Sequence, residues 1–191
     1  MLLNPNATFE LAVRLRPDGP GASIGEVFSF MSGLYFRGKL TYATAFGQRR
    51  GGAVSTFVIT TDRGVIPADT VIRRGDIESF AKVDIASGDE RYVAPLRRDL
   101  QRLASEVDAS TDIVLLGSIA TGKYADILIE TFGERLRFPK EFVGRGDMSR
   151  GGLLLRCANE GRQLEYQSVL GAVRRGTRPP KLEPLESRRN R

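Results

Sequence analysis

Histidine and tryptophan are absent from this chain of 191 residues, and cysteine occurs once. Without histidine the commonest general base and the commonest zinc ligand are both missing, so no Ser-His-Asp or Cys-His arrangement can be assembled within the chain. One cysteine and no histidine also exclude a structural zinc site, and no metal site is expected. The lone Cys157 can make no intramolecular disulfide, so stability must come from packing in a reducing compartment. No apolar run reaches about 18 residues, the length of a membrane span, and MLLNPNATFELAV opens with neither a basic nor a long apolar segment. The expectation is a cytoplasmic protein with no membrane partner. Any chemistry falls to Asp, Glu, Lys, Arg, Tyr, Ser or a cofactor. No cofactor is implied, and Mg²⁺ enters only as the companion of a bound phosphate.

What is present is positive charge, +6 overall, and it is unevenly placed. From Arg174 onward seven Lys or Arg stand against Glu183 and Glu186, so five of the six net charges belong to residues 174–191 and the body is nearly neutral. The division is thus an α/β domain over 1–173 and a basic, Pro/Arg-rich tail over 174–191, disordered or ordering on a partner. A hydrophobic fraction of 41% is enough for a core of one domain.

Along the body, TFELAVRL (8–15) alternates like a half-buried strand, and AVSTFVITT (53–61) is β-branched enough to be another, ended by the turn Asp62-Arg63-Gly64. Between them the aromatic segment 28–47 is interrupted by Gly33 and Gly38, predicting a loop and then a short helix over 38–46. Residues 65–90 hold a short helix or strand near DIESFAKVDI and a turn at SGDE. Leu96, Leu100, Leu103 and Val107 form the stripe of an amphipathic helix over 92–107, with Pro95 in its first turn. DIVLLG (112–117) is expected as a strand covered on both faces, YADILIETFG (124–133) as a helix closed by Gly133, and RLRF as a strand leading into Pro139. GRGDMSRGG (144–152) is expected as a loop, LLLRC (153–157) as a strand and EYQSVLGAV (165–173) as a last helix. The succession predicts a single α/β domain with a mixed, partly parallel sheet flanked by helices.

Three segments are candidate sites. Gly117-Ser118-Ile119-Ala120-Thr121-Gly122-Lys123 lies between a strand and a helix and satisfies most of the phosphate-loop spacing G-x4-G-K-[ST], although Tyr124 stands where that loop has Ser or Thr. Three readings stay open: a nucleotide-hydrolysing loop, a turn that binds phosphate or carboxylate through amides at a helix N-terminus, and a structural turn. The second segment is the glycine-rich 144–152, in which Gly146, Asp147 and Ser149 lie between Arg145 and Arg150, two guanidiniums able to clamp phosphate; the alternative is a flexible hairpin with solvated arginines. The third interleaves aromatic and basic residues, Tyr35, Phe36, Arg37, Lys39, Tyr42, Arg49 and Arg50, as a surface that stacks bases does; core packing is the alternative. Arg174 and Arg175 extend the possible nucleic-acid contact. Asp62, Asp126, Glu130 and Asp147 are acid or base candidates, none assigned as catalytic. Cys157 is expected as a small buried residue.

The segment 112–156 resembles runs found in bacterial protein families to which no activity is attached. Its LLGS turn (115–118) and RFP step (137–139) also resemble α/β domains of the uracil-DNA-glycosylase-like kind. That resemblance implies a fold and an interest in nucleic acid and carries no catalytic residue, since that family's motif contains histidine.

These readings converge on a binding module for a phosphorylated ligand, expected to be nucleic acid or nucleotide, held by the glycine-rich segments and the basic tail. Two alternatives stay open: an enzyme acting on a nucleotide or nucleobase with carboxylate acid and base groups, and a subunit of a larger assembly whose tail docks on a protein partner.

Overall fold

A computed structural model describes residues 2–47, 55–85, 88–120 and 122–182. Helix α1 (Glu10–Arg14) is followed by strand β1 (Ala22–Ser23), the long helix α2 (Ile24–Phe46), the hairpin β2 (Phe57–Ile59) and β3 (Val65–Pro67), β4 (Val71–Ile72) and α3 (Arg74–Phe80). The second half holds α4 (Glu90–Glu106), β5 (Ile113–Val114), α5 (Gly122–Phe132), β6 (Leu136–Pro139), α6 (Asp147–Glu160) and β7 (Tyr166–Ser168). β5 and β6 run parallel, β6 and β7 antiparallel, so the three-stranded sheet β5-β6-β7 is mixed. Two antiparallel pairs, β1 with β4 and β2 with β3, serve the N-terminal half. This is the expected α/β fold with a partly parallel sheet and flanking helices. No helix among the described residues is long and apolar enough to cross a membrane.

Several local expectations are corrected. Residues 10–14 are helical rather than extended, because Leu11 and Leu15, four apart, face the core while Val13, counted as inward by alternation, is 40% exposed. The loop expected within 28–47 is instead part of α2. Ser23 caps that helix by accepting the Glu26 N–H at 3.2 Å, and the interruption shrinks to a kink at Gly33, whose φ of 60° and ψ of −136° leave helical space. The strand expected over 53–61 is three residues long, with positions 53 and 54 outside the described residues. Near DIESFAKVDI, where the sequence leaves helix and strand both open, the chain takes the helix, α3. Asp89 caps α4 by accepting the Arg91 N–H, so the helix begins before Tyr92 and Pro95 falls in its second turn, not its first.

The C-terminal half departs further. β5 is not covered on both faces: Val114 is 37% exposed and Leu115 is the residue buried. α5 ends at Phe132 with Gly133 in the left-handed region, as the sequence predicts. The expected loop 144–152 and strand 153–157 are largely one helix, α6, whose inward set Arg150, Leu153, Leu154 and Cys157 follows the helical spacing of three and four. Its Gly151 serves packing rather than loop freedom. A Cβ on Gly38 would lie 2.5 Å from the Gly151 carbonyl oxygen, and one on Gly151 would lie 2.7 Å from the Leu34 oxygen and the Tyr35 Cα, so α2 and α6 cross backbone to backbone. The last expected helix is the strand β7, whose edge position against β6 is fixed by the Val169 N–H to Leu136 oxygen bond of 2.8 Å.

Two cores result. The larger gathers Leu96, Leu100, Phe132, Leu136, Phe138, Phe142, Leu154 and Cys157 around the sheet, α4, α5 and α6. The smaller holds Leu11, Leu15, Ile24, Val27, Ile72, Ile77 and Phe80. α2 spans both: Ile24 and Val27, before the kink, belong to the smaller core, while Tyr42, after it, belongs to the larger. Tyr42 ties that end down, its hydroxyl accepting the Leu164 N–H at 2.8 Å and meeting the Tyr166 hydroxyl at 2.7 Å.

Candidate functional site

Just beyond the Gly33 kink, α2 carries Tyr35, Phe36 and Lys39 toward the turn between β5 and α5 and the first turn of α6. Together with Ser32, Ser118, Tyr124, Asp147 and Met148 they line a cleft of about 360 Å³. The close glycine crossing sets this geometry, since side chains at positions 38 and 151 would push α2 and α6 apart. Three segments distant in sequence thus meet in one place.

The Lys39 ammonium lies 3.9 Å from the centre of the Tyr35 ring. Burial pulls it down from its ordinary value to about 8, with Arg150 acting in the same direction and Asp147 against it. Burial also pushes the Tyr35 hydroxyl up to about 12, with Arg150 opposing, and raises Tyr124, against which the Ser118 N–H acts as a donor. Both tyrosines are therefore protonated donors at neutral pH, and Tyr35 gives its hydrogen to the Leu116 carbonyl at 3.2 Å. Asp147 pairs with Arg150 at 3.4 Å rather than with Lys39, which makes no ion pair among the described residues. With Lys39 protonated, two cations face one carboxylate, and the cleft carries a net positive charge.

Arg150 is buried beneath this cleft, and its role differs from an open clamp. Its Nε and Nη2 donate to the Phe142 carbonyl at 3.3 and 3.1 Å, and its guanidinium sits 5.5 Å from the centre of the Phe142 ring. It fixes the turn into α6 while its charge acts on Tyr35 and Lys39. Arg145 turns away to Ser149 Oγ at 3.2 Å and the Pro180 carbonyl at 3.5 Å. Gly146 is the residue before α6.

At the other glycine-rich turn, Ser118 faces the cleft and Gly117 packs so closely under Tyr124 that a Cβ would come 2.7 Å from the tyrosine hydroxyl. A Cβ on Gly122 would collide with the Asp126 carboxylate at 1.9 Å, so the start of α5 is occupied by the chain's own acid, which Arg174 in turn binds at 2.5 Å. Lys123 is exposed and does not line the cleft. Thr121, Arg49 and Arg50 lie outside the described residues. Arg37 and Arg175 are exposed and apart from the cleft lining.

Of the other carboxylates, Asp62 accepts from Ser79 Oγ and Glu130 pairs with Arg97 at 3.1 Å. Cys157 is buried, and burial raises its thiol. Among the described residues no group of His, Cys, Asp or Glu is placed to hold a metal ion. A larger depression of about 480 Å³, lined by Pro17, Arg73, Arg74, Gly75, Asp76 and Glu78, is less promising because both of its carboxylates are already paired, Glu78 with Arg74 at 2.7 Å and Asp76 with Arg63, and Arg73 is exposed, its Nε donating to the Gly19 carbonyl at 3.2 Å.

Ser32 and Met148 are lining residues that the sequence reading omitted. Reading the helical spacing through Arg150, Leu153, Leu154 and Cys157 would have made 147–152 a helix start and put Met148 on its surface. Compared with protein-family models, curated proteins and solved structures, the chain finds no match, and the cleft stands on its own residues.

Proposed function

We propose that the chain binds a small phosphorylated ligand, a nucleotide or one nucleotide unit of a single strand, in the cleft between α2, α6 and the turn before α5. The observation that carries this reading is the half-buried Lys39, a cation drawn out of water with no carboxylate paired to it among the described residues. Such a group costs free energy in the empty protein and is offset when an anion arrives. Arg150 below adds charge, Ser118 and Tyr124 add hydrogen-bonding groups, and Phe36 with the 65% exposed Met148 offers apolar surface to a sugar or base. A volume of about 360 Å³ suits one nucleotide rather than a duplex groove. Mg²⁺ would accompany the phosphate only as the ligand's own counterion.

Fluorescence polarisation with short labelled single-stranded DNA and RNA, competed by nucleoside monophosphates, tests the reading. Lys39→Met is expected to cost roughly 1.5–3 kcal/mol, about ten- to a hundredfold in affinity, with competition by the monophosphate. Unchanged affinity in Lys39→Met, together with loss of binding when Arg175 and Lys181 are replaced by alanine, would move the contact to the tail and refute the cleft.

A further inference from the structure

We propose that Lys39 acts as a nucleophile and that the cleft captures a phosphorylated aldehyde or ketone as an imine on Lys39 Nζ. The inference rests on the anion-binding reading of the same cleft and adds the chemical class of the ligand. Of the five lysines, Lys82, Lys123, Lys140 and Lys181 are exposed, and Lys140 pairs with Glu165; Lys39 alone is half-buried. It stands over the Tyr35 ring at 3.9 Å, beside the Arg150 charge, and Asp147 is held by Arg150 rather than by the amine. Burial and a neighbouring cation are the two environments that free a lysine amine for attack on a carbonyl, and Lys39 has both. With its titration near 8, about one Lys39 in ten is neutral at neutral pH.

The cleft also holds the groups that the steps require. The Lys39 nitrogen lone pair forms the C–N bond while the carbonyl π pair moves to oxygen. The proton lost by nitrogen passes to that oxygen, giving a carbinolamine. The nitrogen lone pair then forms the C=N bond as the hydroxyl leaves with the nitrogen's second proton, so one water is released for each imine formed. Asp147, the carboxylate on the wall of the cleft, takes and returns the proton in this scheme. Tyr124, on the wall of the cleft and kept protonated by burial, can hydrogen-bond the developing alkoxide. No oxidant or reductant is consumed.

The test uses the full-length protein, with pyridoxal 5′-phosphate as a phosphorylated aldehyde, pyridoxal as the aldehyde without phosphate, and pyridoxamine 5′-phosphate as the phosphate without aldehyde. Imines are trapped with cyanoborohydride and located by peptide mass mapping. The expected result is modification of Lys39 at least about tenfold faster than of any exposed lysine, suppressed by inorganic phosphate and much slower with pyridoxal. Lys39→Arg should lose the adduct and still bind pyridoxamine 5′-phosphate more tightly than Lys39→Met does, because the charge persists. Adducts spread over the exposed lysines, with Lys39 no faster, overturn the inference; Lys39-dependent binding of pyridoxamine 5′-phosphate in that case leaves the anion reading intact. Modification of Lys39 that is equally fast with pyridoxal and insensitive to phosphate overturns the phosphorylated class and the anion reading with it.

Discussion

Around the smaller, N-terminal core, Arg14 reaches the two oxygens of Glu26 at 2.8 and 2.9 Å, Arg74 pairs with Glu78 at 2.7 Å, and Arg63 meets Asp76. Beside the larger core, Lys39 is withdrawn from water with an aromatic ring for company and a second cation nearby. The first pattern is that of half-exposed surface pairs, each contributing little and asking for nothing further. The second leaves a cation with no ion pair among the described residues, opposed only at a distance by Asp147. Charge pairing, more than depression size, therefore distinguishes the depression at Arg74 and Glu78 from the cleft proposed to take a ligand.

Five substitutions sharpen or break this contrast. The largest effect is expected at the centre of the mixed sheet: Phe138→Ala, at a fully buried position, should lose about 3–5 kcal/mol in urea unfolding. Gly151→Val should cost roughly 1–3 kcal/mol, because the added atoms meet the backbone of α2. It should also weaken nucleotide binding, whereas Ile72→Ala in the smaller core should destabilise without changing affinity measured on the folded protein. Equal effects of both on affinity would erase the distinction between the two regions.

Lys39→Met should act in opposite directions on its two readouts. Nucleotide affinity falls, while the thermal midpoint of the free protein rises because a desolvated charge has gone. The sign of the pH dependence agrees. The folded value near 8 lies below the ordinary 10.5, so between those limits the unfolded chain binds the extra proton and Lys39 makes stability rise with pH, a rise absent from Lys39→Met. The smallest effect is expected from Arg14→Ala, about 1 kcal/mol or less in the same urea experiment and none on nucleotide affinity. A large loss there would show that the N-terminal pairs carry more than surface charge.

The fold class was legible because β-strand, helix and strand alternate after residue 90 with clear punctuation, notably the leucine stripe of α4 and Gly133. The secondary structure of 8–15, 28–47 and 144–173 was not. Phe9, Leu11, Val13 and Leu15 fit both period two and, at Leu11 and Leu15, period four, and only the partner surface decides between them. Gly33 does interrupt α2, but Gly38 and Gly151, which look like breakers in one dimension, become the contact in three, since the reason for Gly38 is Gly151. Lys39, Tyr35, Ser118 and Asp147 were each singled out from local pattern. That they share one cleft, while Lys123 and Arg145 stay outside it, depends on the crossing of α2 with α6 and on Asp126 folding over Gly122.

The account is tested most directly by calorimetric titration of a nucleoside monophosphate into wild-type protein and Lys39→Met at about pH 7 and about pH 9.5, on either side of the Lys39 transition near 8. The expected result is wild-type binding at the lower pH that weakens about tenfold at the higher, and weak binding by Lys39→Met at both. Wild-type and Lys39→Met affinities that coincide at the lower pH would contradict it.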